Sequence, residues 1–240
     1  MTQNRTISLT WPMLVAFGVI VAVVGALGGW LASRATLGQG VRDYVINHPD
    51  ILPLAMENLR KQEDAKQLAG VRKDVEKPFP GAVLGNPNGK VVVVQFADYA
   101  CGYCKKSVAD LDALIAENPE IKVVMRELPI LSPQSADAAK MALAAGDQGK
   151  YPAFHKAMYE IGKPDDQTIE AAAKAAGLDL ERARKFAADP RLDAEIDRNM
   201  AYARQLGFQG TPSWVIGERL LAGAESKDVL AKAVAEFKAL

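Results

Sequence analysis

The sequence is short of the residues that hold metals and staple small folds: it has two cysteines and two histidines, His48 and His155. Two cysteines cannot form the disulfide framework that replaces a core in small extracellular domains. A zinc site within one chain needs four ligands, and neither histidine lies near the cysteines in sequence. Each histidine reads more simply as a surface or packing residue. An excess of either charge is also missing, since 29 Lys and Arg balance 29 Asp and Glu. That balance gives no support to a nucleic-acid partner, which calls for a basic surface. Repeats and low-complexity tracts are absent too. The chain must therefore fold on a hydrophobic core. Roughly 160–200 residues follow the N-terminal segment, enough for one domain.

Charge vanishes altogether from Thr6 to Ser33, and Trp11 to Ala32 is almost wholly apolar. As a helix this stretch reaches about 33 Å, slightly more than the hydrocarbon core of a bilayer. Trp11 and Trp30 fall about 28 Å apart along it, where interfacial anchors belong. The expectation is a retained transmembrane anchor over 11–33, with 1–10 as a cytoplasmic tail. The competing reading is a cleaved signal peptide using "SRA" at 33–35, but the apolar run exceeds the usual signal core of about 7–15 residues. Gly25 and Gly29 form a GxxxG, a pattern common in membrane helices generally. Arg5 on one side, and Arg34 and Arg42 beside Asp43 on the other, leave the orientation undecided by charge.

Residues 34–40, "RATLGQG", read as a flexible exit, and 34–78 as linker and helical stalk. Val41, Tyr44 and Val45, then Ile51, Leu52, Ala55 and Leu59, form two short helical stripes broken near His48-Pro49. Neither can bury itself; each needs the main domain, a membrane surface or a second copy.

"KPFPGAVLGNPNG" is punctuated by turns, and the four valines of "KVVVVQFADYA" mark a strand buried on both faces. Cys104, Val108, Leu111 and Ile115 then recur at helical spacing. "IKVVMREL" is a second strand. From Ser132 to Gly207 the pattern is helical, with Ser132, and Asp165 or Asp166, as caps. "GTPSWVIGERLLAG" reads as two strands about Gly217, and Val229, Leu230, Ala233, Val234 and Phe237 give a last helix. The order defines an α/β domain over 79–240 with a helical insertion at about 132–207.

Both cysteines lie in "FADYACGYCKKS", at the junction of strand and helix. A structural staple between them would close almost no loop and remove little unfolded-state entropy. Copper on the two thiolates, or a metal shared between copies, remains an alternative. Redox chemistry suits the placement better. Cys101 falls at a helix N-terminus, where unpaired N–H groups and the dipole favour a thiolate, while Cys104, one turn on, joins the apolar stripe. One sulfur is then accessible, and the other waits to resolve a mixed disulfide. Lys105 and Lys106 read as solvated lysines.

"VVVVQFADYACGYCK", "VVMRELPIL", "GKYPAFHKAM" and "GFQGTPSWVIGERLLAG" together resemble the DsbA-like thiol–disulfide oxidoreductases, from about residue 79 onward. The resemblance implies a thioredoxin fold with a helical insertion, here preceded by the transmembrane helix and stalk. It implies Cys101 as attacking thiol, Cys104 as resolving thiol, and Thr211-Pro212 as a cis-proline facing them. Gly102, Tyr103, Thr211 and Pro212 would meet the substrate, whose extended backbone could pair with that of Thr211. No metal or cofactor beyond the redox-active Cys101–Cys104 disulfide is implied. The implied partners are cysteine-containing exported proteins and a membrane redox protein that resets the pair, at a bacterial inner membrane with the domain facing the periplasm. Gly-Tyr in place of Pro-His, and Thr before the proline, are similar to the disulfide isomerases and lean toward isomerase or reductase over dithiol oxidase. Gln95 stands where the oxidase carries an acid; Asp98 supplies a nearby carboxylate or caps the helix. Residues 41–64 resemble, weakly, the oligomerisation stalk of the suppressor-of-copper-sensitivity branch, which would make the protein a homo-oligomer.

Overall fold

The computed structural model describes residues 11–238; the expected tail at 1–10 lies outside them. The chain divides into two units, residues 1–59 and 60–240, with the division inside one helix.

In the first unit a single helix, α1 (Trp11–Asn47), contains the apolar stretch Trp11–Leu31, with mean hydropathy 2.4. By length and composition that stretch can cross a membrane. The backbone stays helical through 34–40, where the sequence predicts a flexible exit. Arg, Ala, Leu and Gln there are good helix formers, and an isolated glycine costs only about 1 kcal/mol. Pro49 disfavours helical geometry at the residue before it, and α1 ends at Asn47. Past it, α2 (Ile51–Leu68) begins at the first residue of the second stripe. Val41, Tyr44, Ile46, Leu52, Leu54, Met56 and Leu59 are all exposed.

The second unit is built on a five-stranded sheet, β1 (Val83–Gly85), β2 (Val91–Ala97), β3 (Ile121–Glu127), β4 (Ser213–Ile216) and β5 (Arg219–Ala222), in the order β1-β3-β2-β4-β5. Central β2 runs parallel to β3 and antiparallel to β4, and β1 is antiparallel to β3. The sequence does not predict β1 as a strand; three residues between Pro and Gly carry too little periodicity. Val91, Val93 and Ala97 join one core, with Leu111, Leu114 and Trp214, while Val94 and Phe96 join another, with Leu68, Val71 and Leu206. The valine run is buried on both faces. Leu68, Val71 and Val75, the last of them in the one-turn helix α3 (Arg72–Val75), belong to that second core, so the packed domain reaches back well before residue 79.

Between β2 and β3 lies α4 (Gly102–Glu117). The insertion is α5 (Pro133–Asp147), α6 (Tyr151–Ile161), α7 (Asp166–Ala175), α8 (Leu180–Ala187) and α9 (Pro190–Gln205). Ser132 caps α5, and Asp165, not Asp166, caps α7 in a capping box with Thr168. The β4–β5 turn needs Gly217, at φ +60°, where a Cβ would approach the Phe237 ring to 2.8 Å. The last helix, α10 (Lys227–Lys238), buries Leu230, Ala233 and Val234, but Val229 is 40% exposed, off the predicted stripe.

One buried charge ties the unit together. Arg126 on β3 donates from Nη1 to Glu195 Oε1 (2.8 Å) and Asn199 Oδ1 (3.1 Å), both on α9. Its other nitrogens reach the carbonyls of Asp74, Val75 and Lys77, fastening the segment ahead of β1 to the sheet.

Candidate functional site

Cys101 is the N-cap of α4. Its backbone is extended (φ −82°, ψ 114°), and its sulfur accepts the Cys104 N–H at 3.4 Å. A cap normally needs a side-chain acceptor for one of the unpaired N–H groups of the first turn, and here sulfur supplies it. Donors at a helix N-terminus stabilise negative charge on that atom. Asp98 therefore does not cap the helix. Its Oδ1 accepts the Ala100 N–H (2.8 Å) and its Oδ2 those of Ile130 and Leu131 (2.8 and 2.9 Å), fixing the cysteine loop to the loop after β3.

From the other end of the domain comes Thr211, whose peptide bond to Pro212 is cis. The Cys101 thiol donates to the Thr211 carbonyl at 3.2 Å. Gly102 and Tyr103 face solvent, with Tyr103 68% exposed. Thus Cys101, Cys104, Gly102, Tyr103, Thr211 and Pro212 meet at one place. Cys101 itself is only 6% exposed, less open than its sequence position predicts, because it lies under the Thr211 carbonyl. Cys104 is 1% exposed, and burial pushes its thiol up to about 12. Both sulfurs are free thiols. Lys105 and Lys106 are exposed. Gln95 is buried, and its Oε1 has no hydrogen-bond partner among the described residues.

Behind the cysteines lies a buried polar cluster that sequence reasoning missed. Glu127, at the end of β3, accepts the Tyr151 hydroxyl proton at 2.5 Å. Tyr99 approaches His155 Nδ1 at 3.3 Å, and Tyr159 donates to the Asp98 carbonyl at 3.1 Å. Tyr151, His155 and Tyr159 stand at i, i+4 and i+8 on α6, one helical face, a spacing that was readable. Burial raises the Glu127 carboxyl to about 8 and lowers His155 to about 4. No group of three or more His, Cys, Asp and Glu suited to a metal occurs among the described residues.

A thiol capping a helix, a shielded thiol one turn on and a carbonyl over the first define the working end of a thioredoxin-fold thiol–disulfide oxidoreductase. The family model for the DSBA-like thioredoxin domain matches residues 92–235, and the chain belongs to that family. Among solved structures, a thioredoxin-like oxidoreductase from Silicibacter pomeroyi is 39% identical with TM-score 0.67, covering 70% of this chain and 98% of that one. The thiol-disulfide exchange protein alpha-DsbA2 from Wolbachia pipientis is 32% identical with TM-score 0.69, covering 74% and 97%. The catalytic domain of Proteus mirabilis ScsC is 27% identical with TM-score 0.66, covering 73% and 99%. A curated relative named Na(+)/H(+) antiporter NhaA 1, from Salinispora arenicola, is 28% identical over 227 residues. The match takes in 90% of this chain, which spans only 32% of that relative's length. The fold and its family are those of a thiol–disulfide oxidoreductase.

Proposed function

We propose that this protein is a membrane-anchored thiol–disulfide oxidoreductase of the bacterial inner membrane, its catalytic domain in the periplasm. Cys101 attacks a disulfide of an exported protein, and Cys104 resolves the mixed disulfide. A membrane redox partner then resets the pair. The observation that carries this reading is the shielded Cys104 beneath a capped Cys101 and the Thr211 carbonyl. Trp11–Leu31 supports the anchor. After carbonate extraction the full chain is expected in the membrane pellet; a soluble form beginning near Thr36 would replace the anchor with a cleaved signal.

Within this chemistry the reading favours isomerase or reductase over oxidase. Gly102-Tyr103 and Thr211 support it, and so do the uncovered apolar residues of 41–59, which self-association would bury. Several active sites facing one substrate raise the local thiol concentration. Soluble proteins beginning at residue 38 and at residue 60 separate the possibilities by light scattering and by refolding of a scrambled disulfide substrate. The longer form is expected to oligomerise and rescue the substrate. If both are monomers that oxidise a reduced peptide and rescue nothing, the protein is an oxidase. A potential near ~−180 mV accords with isomerase, one near ~−120 mV with oxidase.

A further inference from the structure

Gly89 closes the turn that leads into β2, and packing forces its lack of a side chain. A Cβ there would stand 2.3 Å from the Glu120 carbonyl oxygen and 2.9 Å from the carbonyl carbons of Glu120 and Ile121. Backbone cannot step aside as a flexible side chain can, so glycine is required. The preceding residue, Asn88, is exposed at the tip of the turn, while Gly89 is buried. The Asn88 N–H donates to Asn86 Oδ1 at 3.0 Å, and the Gly89 N–H to the Asn86 carbonyl at 2.9 Å. Among the described residues nothing hydrogen-bonds the Asn88 side-chain amide. An amide so placed has a reaction open to it, because the next backbone nitrogen can attack its carbon and close an imide ring. A side chain on the next residue obstructs that closure, and glycine has none. The remaining asparagines of the described chain are guarded. Asn86 and Asn118 precede prolines, whose nitrogens carry no proton to release. Asn47, Asn58 and Asn199 precede His48, Leu59 and Met200, all with bulky side chains, and the last two pairs lie inside helices. There each N–H is tied to the carbonyl four residues back, within a continuous ladder. The Gly89 N–H has a single hydrogen bond in a short turn, so closure waits only for that turn to open.

We propose that Asn88–Gly89 is a site of spontaneous deamidation, which turns Asn88 into aspartate or isoaspartate and loosens the entry to the central strand. In the first step the Gly89 nitrogen bonds to Asn88 Cγ, and the Cγ–Nδ2 bond breaks. The amide group leaves as ammonia, taking up the proton that the Gly89 nitrogen gives up. Water then adds to the imide at one of its two carbonyl carbons. Opening at Cγ leaves aspartate; opening at the main-chain carbonyl leaves isoaspartate, with the backbone rerouted through Cβ and Cγ. Nothing is oxidised or reduced, and water is the sole co-reactant. Isoaspartate inserts a methylene into the main chain just ahead of Gly89, which has no slack against Glu120. Two residues on, Val91 pairs with Ile121, and its N–H donates to the Glu120 carbonyl at 3.1 Å. The disturbance therefore reaches the first rung of the β2–β3 ladder.

The test is prolonged incubation of the full chain in detergent at physiological temperature, followed by proteolysis and mass spectrometry. Residue 88 is expected to gain the mass that separates an acid from its amide, while Asn58, Asn86, Asn118 and Asn199 stay unchanged. Part of the product should resist a protease specific for aspartate, which marks isoaspartate. The intact protein should gain an acidic variant on isoelectric focusing, readily seen where 29 basic and 29 acidic residues balance. Asn88→Gln, whose longer side chain must close a larger ring, should not gain it. In urea the conversion should quicken, because the turn no longer holds the Gly89 N–H, and the aged protein should unfold at lower urea than fresh protein. An unaltered residue 88 in the folded chain, beside conversion in the unfolded one, would show that the turn blocks the reaction and overturn the proposal. Conversion spread evenly over the other asparagines would overturn its assignment to this turn. A converted protein with an unmoved urea midpoint would refute the effect on β2.

Discussion

Serine in place of Cys101 is expected to reduce disulfide exchange to the uncatalysed background, whereas Cys104→Ala should leave the first attack intact and arrest the second. The two variants differ because the sulfurs differ in setting. Cys101 is held between the Cys104 N–H at 3.4 Å and the Thr211 carbonyl at 3.2 Å, and retains a sliver of exposure. Cys104 is sealed in the core, and its thiol sits at about 12. A thiol that high contributes almost no thiolate at neutral pH to attack an outside disulfide. In Cys104→Ala, covalent adducts with substrate should accumulate, visible on non-reducing gels and released by dithiothreitol. In reduced wild-type protein, iodoacetamide should label Cys101 first. Faster labelling of Cys104, or adducts through Cys104 in Cys101→Ser, would reverse the assignment.

The second large effect is on stability. Arg126→Met keeps much of the side-chain bulk but takes the buried donor from Glu195 Oε1, Asn199 Oδ1 and the carbonyls of Asp74, Val75 and Lys77, leaving Glu195 paired only through its other oxygen with the half-exposed Arg198. Removing one partner of a buried pair typically costs about 3–5 kcal/mol, because the survivor keeps its desolvation penalty. For a domain of this size that lowers Tm by roughly 10 °C or more. Urea unfolding of the protein beginning at residue 60 checks it. Exchanging both partners, Arg126→Met with Glu195→Leu, should recover a good part of the loss. A single variant within about 0.5 kcal/mol of wild type, the usual range for an uninvolved surface position, would show that the clamp is unimportant.

Much of this arrangement was legible. Four valines in a row announced the central strand, helical spacing put Cys104 on a buried stripe, and Gly217 marked the turn of the C-terminal hairpin. The residues that escaped were those whose meaning depends on distant neighbours. Arg126 and Glu127 look like the ordinary charged end of a strand until α9 and α6 close over opposite faces of it. Asp98 is a good capping residue by type, yet the sulfur of Cys101 occupies the cap, and Asp98 reaches across to Ile130 and Leu131 instead. Strand β1 is too short for periodicity to register and exists because β3 offers it a partner. The segment 34–40 went the other way: its glycines suggested a break, but the good helix formers around them prevail.

The contact between Cys101 and Thr211 joins positions 110 residues apart, with the whole helical insertion between them. Synthesis at about 5–20 residues per second separates their emergence by roughly 5–20 s. During that interval the chain already carries both thiols, yet β4 has not paired with β2 and nothing covers the sulfur. A ribosome that stalls or terminates within the insertion therefore releases a polypeptide with two cysteines and no exchange centre. The Thr211 carbonyl meets Cys101 only once the final hairpin is made, so an unfinished chain has both thiols without the backbone that faces them.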